Sequence, residues 1–173
     1  MDFDQLVQQR QSCRHFDPER IPKDDDLQKI ISWANLAPSA CNAQPYRIHI
    51  AKDEKAVEIG KARSYQMNGF IKDAPVFFIL EEGSYNLTSK IGSSLKGQDY
   101  RSIDIGILTA HICFGATELG LSTCILGMFD EKKIQQLCHT KNRIRLVIAL
   151  GYEKGSLREK KRKDLHDLWI TME

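Results

Sequence analysis

The spacing of apolar residues divides the chain into helical and extended segments. Apolar residues three and four positions apart are typical of amphipathic helices. Four segments show this spacing, at residues 2–9, 24–35, 53–67 and 130–138. Alternation of apolar and polar residues predicts a half-buried strand over 46–51. Continuous apolar runs predict core strands over 74–80 and 145–152.

A longer segment, residues 99–119, is apolar on nearly every face. Such a helix is buried on most sides. Small residues recur along it in a stripe: Gly106, Ala110, Cys113 and Thr117. In a small domain, a helix of this kind suggests that a second subunit covers part of it. Gly120 then ends the helix in the C′ position, and a short strand follows.

The stretch before this helix, residues 81–97, is rich in Gly, Ser, Asn and Thr and has little periodicity. We interpret it as a mobile loop, either a lid or a disordered segment. At least three strands and about five helices without strict βαβ alternation predict an α+β fold or an irregular three-layer fold. The 173 residues are expected to form one domain over 1–173.

Composition excludes several classes of function. A net charge of +2 implies no bulk polyelectrolyte partner. No apolar run reaches the length of a membrane span, and the first residues do not resemble a signal peptide. The five cysteines are odd in number and contain no CxxC pair. This favours reduced thiols in the cytoplasm and argues against a disulfide framework or a zinc site.

The first candidate for chemistry is the loop between the second helix and the first strand. Pro38 and Pro45 make it rigid, and Ser39, Asn42 and Gln44 lie between them. These neutral donors and acceptors suit a polar heterocycle. The alternative is an ordinary loop with polar turn residues.

Two basic segments form the second candidate. Arg10, Ser12 and Arg14 alternate, so an extended backbone would turn all three to one side. They form either a site for an anion or a solvated turn. Near the other end, residues 154–163 contain six Lys or Arg. This tail is either solvated, or binds nucleic acid or acidic lipid, or folds back onto a phosphate.

Taken in order, these motifs resemble the nitroreductase family of FMN-dependent NAD(P)H oxidoreductases. The resemblance spans residues 10–165 and rests on the following motifs: Arg10-x-Ser12-x-Arg14, Pro38-Ser39-x-x-Asn42-x-Gln44-Pro45, Gly120-Leu121-x-x-Cys124-x-x-Gly127-x-Phe129, Leu150-Gly151-Tyr152 and Lys160-x-Arg162.

The resemblance implies an α+β sheet flanked by helices, in an intertwined homodimer with FMN at the subunit interface. It assigns Arg10, Gln11, Ser12 and Arg14 to flavin binding, with Arg10 at the phosphate and Arg14 at the N1 and C2 carbonyl edge. It further implies that cofactor contacts come from Pro38, Ser39, Asn42 and Gln44 of the partner subunit, from Leu126 and Gly127 beside the ring, and from Lys160 and Arg162 at the phosphate.

The implied reaction moves a hydride from NAD(P)H through flavin N5 to an electron-poor acceptor, a nitroaromatic or a quinone, in a ping-pong cycle. It needs no catalytic side chain and no metal, nucleic acid or membrane, and Arg14 would give electrostatic support. One alternative is another flavin reaction on the same fold: dehalogenation, dehydrogenation or flavin fragmentation. The other is a non-enzymatic protein that binds RNA or a membrane surface through its basic tail.

Overall fold

A four-stranded antiparallel sheet forms the centre of the molecule. The computed structural model describes residues 1–62, 68–84 and 98–172. The strands are β1 (Tyr46–Lys52), β2 (Val76–Glu82), β3 (Ser122–Leu126) and β4 (Ile144–Gly151), in the spatial order β1-β2-β4-β3. The central strand β2 alternates between two cores, with Phe77 and Ile79 on one face and Phe78 and Leu80 on the other. Burial on both faces explains its continuous apolar sequence.

Five α-helices of the described residues cover the two faces of the sheet. They are α1 (Phe3–Gln9), α2 (Asp24–Ala34), α3 (Asp53–Lys61), α4 (Tyr100–Glu118) and α5 (Glu131–Leu137). Helices α2 and α4 pack together and supply one core, whereas α3 and α5 supply the other. This arrangement confirms the predicted α+β class. No helix in the described ranges is long and apolar enough to cross a membrane.

Capping residues explain where several helices begin and end. Asp2 caps α1 through a hydrogen bond from the Gln5 N–H at 2.8 Å, and Asp130 caps α5 from the Lys133 N–H at 3.1 Å. After α4, Gly120 has the left-handed φ of 72° that the C′ position requires. The predicted stop at Gly120 is therefore confirmed.

The structure corrects two predicted segments. Helix α3 ends at Lys61, so the predicted helix over 53–67 is too long, and residues 63–67 lie outside the described part. Strand β2 includes Glu81 and Glu82, which the prediction placed in a loop, because both pair with neighbouring strands. The remainder of that predicted lid, residues 85–97, also lies outside the described residues.

The small-residue stripe on α4 does not form one exposed face. Gly106 and Ala110 are exposed, whereas Cys113 and Thr117 are buried within the chain. The prediction treated all four as one approach surface. Only the first half of the stripe is therefore exposed, because Cys113 and Thr117 belong to the buried side of the helix.

Candidate functional site

The chain after α1 runs along the outer edge of β3 and aims alternate side chains outward. Ser12 bridges to Thr123 in parallel fashion, and the Cys13 N–H donates to the Thr123 carbonyl at 2.8 Å. Gln11 and Cys13 are buried, whereas Ser12 is half-buried and Arg14 is exposed. The predicted extended alternation is therefore present.

Gln11 is occupied by contacts within the protein. Its amide Nε2 donates to Glu153 Oε2 at 3.1 Å, and its Oε1 accepts from the Arg158 N–H at 3.1 Å. Arg158 also donates from Nη2 to the Ser12 carbonyl at 2.5 Å. Arg158 thus ties the basic tail to the N-terminal segment. Sequence reasoning saw Arg158 only as part of a charge run, because its partners lie almost the whole chain away.

Three cations from the two ends of the chain meet beside α1, and we call Arg10, Lys160 and Arg162 the basic cluster. Lys160 Nζ donates to the last-turn carbonyls of Val7 at 2.6 Å and Gln8 at 2.5 Å. Burial and the positive charges of Arg10 and Arg162 lower the pKa of Lys160 below its ordinary value. Like charges held this close favour a bound anion.

Arg14 lines a separate cavity of about 460 Å³. Its guanidinium lies 5.8 Å from the ring centroid of Phe70, and Lys72 and Lys154 line the same cavity. Lys72 was not among the residues predicted from the sequence, and Lys154 was predicted only as part of the basic tail over residues 154–163. Lys72 stands in a short 3₁₀ turn whose position beside Arg14 is a tertiary contact, so no local pattern could have revealed it.

The end of β3 offers an open surface. Leu126 is buried with 3% exposure, and Gly127 directly after it is exposed. A Cβ added at Gly127 would meet no atom within 4 Å. The space beside this backbone is therefore available to a flat ligand.

The loop of residues 38–44 has a strained backbone. Cys41 and Asn42 have φ of 51° and Gln44 has φ of 44°, all in the left-handed region. Ser39 Oγ accepts from the Gln44 N–H at 3.0 Å, and Asn42 Oδ1 accepts from Gln44 Nε2 at 3.0 Å. Such strain persists where surrounding contacts hold it, and it concentrates at binding sites.

Asp104 anchors this loop from α4. It is 2% exposed, and its Oδ1 accepts from the Ala40 N–H at 3.0 Å. Its other oxygen, Oδ2, is buried and has no hydrogen bond within the described residues, and the same holds for the Tyr46 hydroxyl. Burial and the charge of Asp104 raise the pKa of Tyr46. No catalytic or binding role was predicted for Asp104, because a single acid in an apolar helix carries no signal of its distant partner.

The predicted site residues fall into two groups within one chain. The first group contains Arg10, Ser12, Arg14, Lys160 and Arg162, with Leu126 and Gly127 on the β3 edge along which the N-terminal segment runs. The second is the loop with Pro38, Ser39, Asn42 and Gln44. The cavity beside Arg14 and the cavity that Gln44 lines share no residue.

Comparison with known proteins assigns the chain to a family. It matches the family model described as "Nitroreductase family" over residues 7–68 and 62–152. The chain therefore belongs to the nitroreductase family, which confirms the resemblance found in its motifs.

Individual relatives span nearly the whole chain. An oxygen-insensitive NADPH nitroreductase of Helicobacter pylori is 26% identical over 195 residues, covering 94% of this chain and 93% of the relative. An iodotyrosine deiodinase of Thermotoga neapolitana is 27% identical over 164 residues, covering 85% and 86%. Among solved structures, an FMN-dependent nitroreductase of Clostridium difficile superposes with a TM-score of 0.71 at 23% identity, covering 94% and 92%.

Proposed function

We propose that this chain is a single FMN-binding domain that acts as an NAD(P)H oxidoreductase toward electron-poor small molecules such as nitroaromatics or quinones. The observation that carries the proposal is the basic cluster, where three cations from opposite ends of the chain converge. A phosphate dianion is the ligand that such a cluster favours. Family membership and the relatives named nitroreductase support the same conclusion.

The residues fit FMN in three respects. The basic cluster supplies charge for the phosphate, and the open side of Gly127 leaves space for a flat ring. In the loop, Asn42 Nδ2 and Gln44 Oε1 form no hydrogen bond with any described residue. One donates and the other accepts, as the alternating edge of the flavin pyrimidine requires.

Bound FMN would supply the redox chemistry, taking two electrons from the nicotinamide and passing them to the acceptor. The protein then has to bind, orient and stabilise charge. Arg14 would place its positive charge at the N1 and C2 carbonyl edge, where negative charge develops on reduction. NAD(P)H and the acceptor would occupy one face in turn, which gives ping-pong kinetics.

A second copy of the chain would complete the site. The two groups of site residues line different cavities in one chain, so we infer that the loop of residues 38–44 serves the flavin of the partner. An apolar groove of about 510 Å³ between α1, α2 and α4 is the surface for that partner, and Phe3, Leu6, Trp33, Ala110 and Phe114 line it.

Absorbance at the flavin bands of the purified protein tests the proposal directly. Arg162→Ala should weaken FMN binding by about 1.5–3 kcal/mol, roughly ten- to a hundred-fold, because a charge-assisted hydrogen bond to the phosphate is lost. Lys163→Ala is the matched control and should have little effect. Equal, small effects of both substitutions on FMN affinity would contradict the phosphate role of Arg162.

Reductive dehalogenation is the second candidate, favoured by the match to the deiodinase. The same flavoprotein supplied with NAD(P)H and iodotyrosine would release iodide, whereas a nitroreductase would consume NAD(P)H only with a nitroaromatic or quinone. RNA binding through the tail has less support, because Arg158 is bound to a backbone carbonyl of the chain itself. It predicts affinity that falls steeply with salt.

A further inference from the structure

A cavity of about 610 Å³ lies beside the loop and belongs to neither the basic cluster nor the Arg14 cavity. The residues that line it include Gln44, Arg47 of β1, Glu82 of β2 and Arg143, which comes directly before β4. Its volume lies within the range of about 300–1,000 Å³ that small-molecule sites occupy. The cavity is therefore large enough for part of a dinucleotide.

The two acidic residues of this cavity already have partners within the protein. Glu81 is 2% exposed, pairs with His49, and accepts from Asn142 Nδ2 at 2.6 Å. Glu82 pairs with Arg145 and also lies 3.5 Å from Arg101 Nη1. Glu82 consequently repels an anionic ligand less than a free acid would, and Glu81 is buried with both of its oxygens hydrogen-bonded.

Two arginines of the cavity remain uncommitted. Arg47 and Arg143 are both exposed, and neither guanidinium forms a hydrogen bond or an ion pair with any residue in the described ranges. A guanidinium offers a planar pair of donors that matches phosphate or carboxylate oxygens. Two of them at one cavity, with its acids paired, give a net positive site for an anion.

The location of the cavity indicates which anion it takes. Gln44 lines it and also belongs to the loop that the proposed function places at the flavin. A ligand in this cavity would either lie next to the nicotinamide of the reductant or be the remaining part of the same dinucleotide. The reductant of the proposed reaction carries a diphosphate, and in NADPH a further 2′-phosphate.

We propose that this cavity binds the phosphate-bearing part of the nicotinamide dinucleotide, with Arg47 and Arg143 as its phosphate ligands. The inference rests on the proposed function and adds to it the residues that determine affinity for the reductant.

The experiment compares FMN-loaded wild type with Arg47→Ala and Arg143→Ala. Lys141→Ala is the matched control, since it removes an exposed cation two positions from Arg143 that does not line the cavity. The measurements are KM and kcat for NADPH and for NADH, FMN content by absorbance, and the Kd of NADP⁺ by titration calorimetry. We expect each Arg variant to raise KM and Kd roughly ten- to a hundred-fold with kcat and FMN content unchanged.

The choice of reductant identifies the phosphate. An effect on NADPH alone assigns the arginines to the 2′-phosphate, and an effect on both reductants assigns them to the diphosphate. Arg143→Lys should recover only part of the affinity, because the charge remains and the paired donors do not.

Unchanged KM and Kd in both Arg variants, with normal FMN content, would overturn the inference and leave the proposed function intact. A protein that binds no FMN would overturn the proposed function itself, and this inference with it.

Discussion

Asp104 anchors the loop of residues 38–44, and substitution of this anchor tests how the site is built. One buried carboxylate on α4 accepts a hydrogen bond from Ala40, 64 positions earlier in the chain. Three residues of the loop, Cys41, Asn42 and Gln44, have left-handed backbones that cost of order 1–3 kcal/mol each. Removing the anchor should let this strain relax and should disorder the loop groups that we propose to face the flavin.

Two substitutions separate the hydrogen bond from the charge. Asp104→Asn keeps an oxygen that can accept from the Ala40 N–H and removes a negative charge whose second oxygen is buried without a partner in the described structure. The hydrogen bond from Ala40 becomes weaker because its acceptor is no longer charged, but the cost of burying a charged carboxylate disappears. Because these two effects offset each other, the stability of Asp104→Asn should stay within about 1 kcal/mol of wild type. Asp104→Ala removes the acceptor, and loss of a partner for a buried donor costs about 1–3 kcal/mol.

Urea unfolding of the flavin-free protein measures the first effect, and fluorescence titration with FMN measures the second. We expect Asp104→Ala to be less stable than Asp104→Asn by about 1–3 kcal/mol and to bind FMN at least several-fold more weakly. Tyr46→Phe is the control, because it deletes another buried and unpartnered polar atom without touching the anchor. It should not lower stability.

Equal stability and equal FMN affinity for Asp104→Ala and Asp104→Asn would refute the reasoning. That result would mean that the local contacts of the loop, and not the long-range hydrogen bond, hold its backbone.

Three further predictions follow from charge, burial and packing. Burial alone would raise the pKa of Glu81, but hydrogen bonds from Asn142, His49 and Thr140 lower it below its ordinary 4.5. The unfolded chain therefore binds more protons than the folded chain at low pH, so the free energy of unfolding measured in urea should fall as the pH drops below about 4.5. Glu81→Gln should reduce this pH dependence. Burial raises the pKa of the fully buried Cys13 thiol to about 11, so a disulfide reagent should modify exposed Cys41 quickly and Cys13 only on unfolding; equal rates would contradict this. Ala110→Trp in the apolar groove should shift sedimentation toward monomer and lower FMN content together, while Val57→Trp on α3 should not.

Local patterns were enough to determine most of the elements. Helical spacing located α1, α2 and α5, and the continuous apolar run identified β2 as a central strand. These features depend on residues within a few positions of one another, so a short window of sequence contains all the residues that cause them. The motifs at Arg10, Pro38 and Lys160 likewise indicated the family, because their residue types and their order along the chain can be recognised without knowing any tertiary contact.

Boundaries and partners were decided by tertiary contacts. Glu81 and Glu82 looked like the start of a polar loop, but they extend β2 because Arg47 and Ile144 pair with the same backbone. Buried acids are tolerated there since His49, Asn142 and Arg145 supply their counterparts.

The site shows the same division. Sequence alone predicted which loop and which cations would face a ligand, since proline rigidity and charge spacing are local properties. Only the tertiary structure brought Lys160 to the end of α1, Arg158 to Ser12 and Asp104 to Ala40. Each of these contacts joins residues more than 60 positions apart, and its free energy depends on burial that no local window contains.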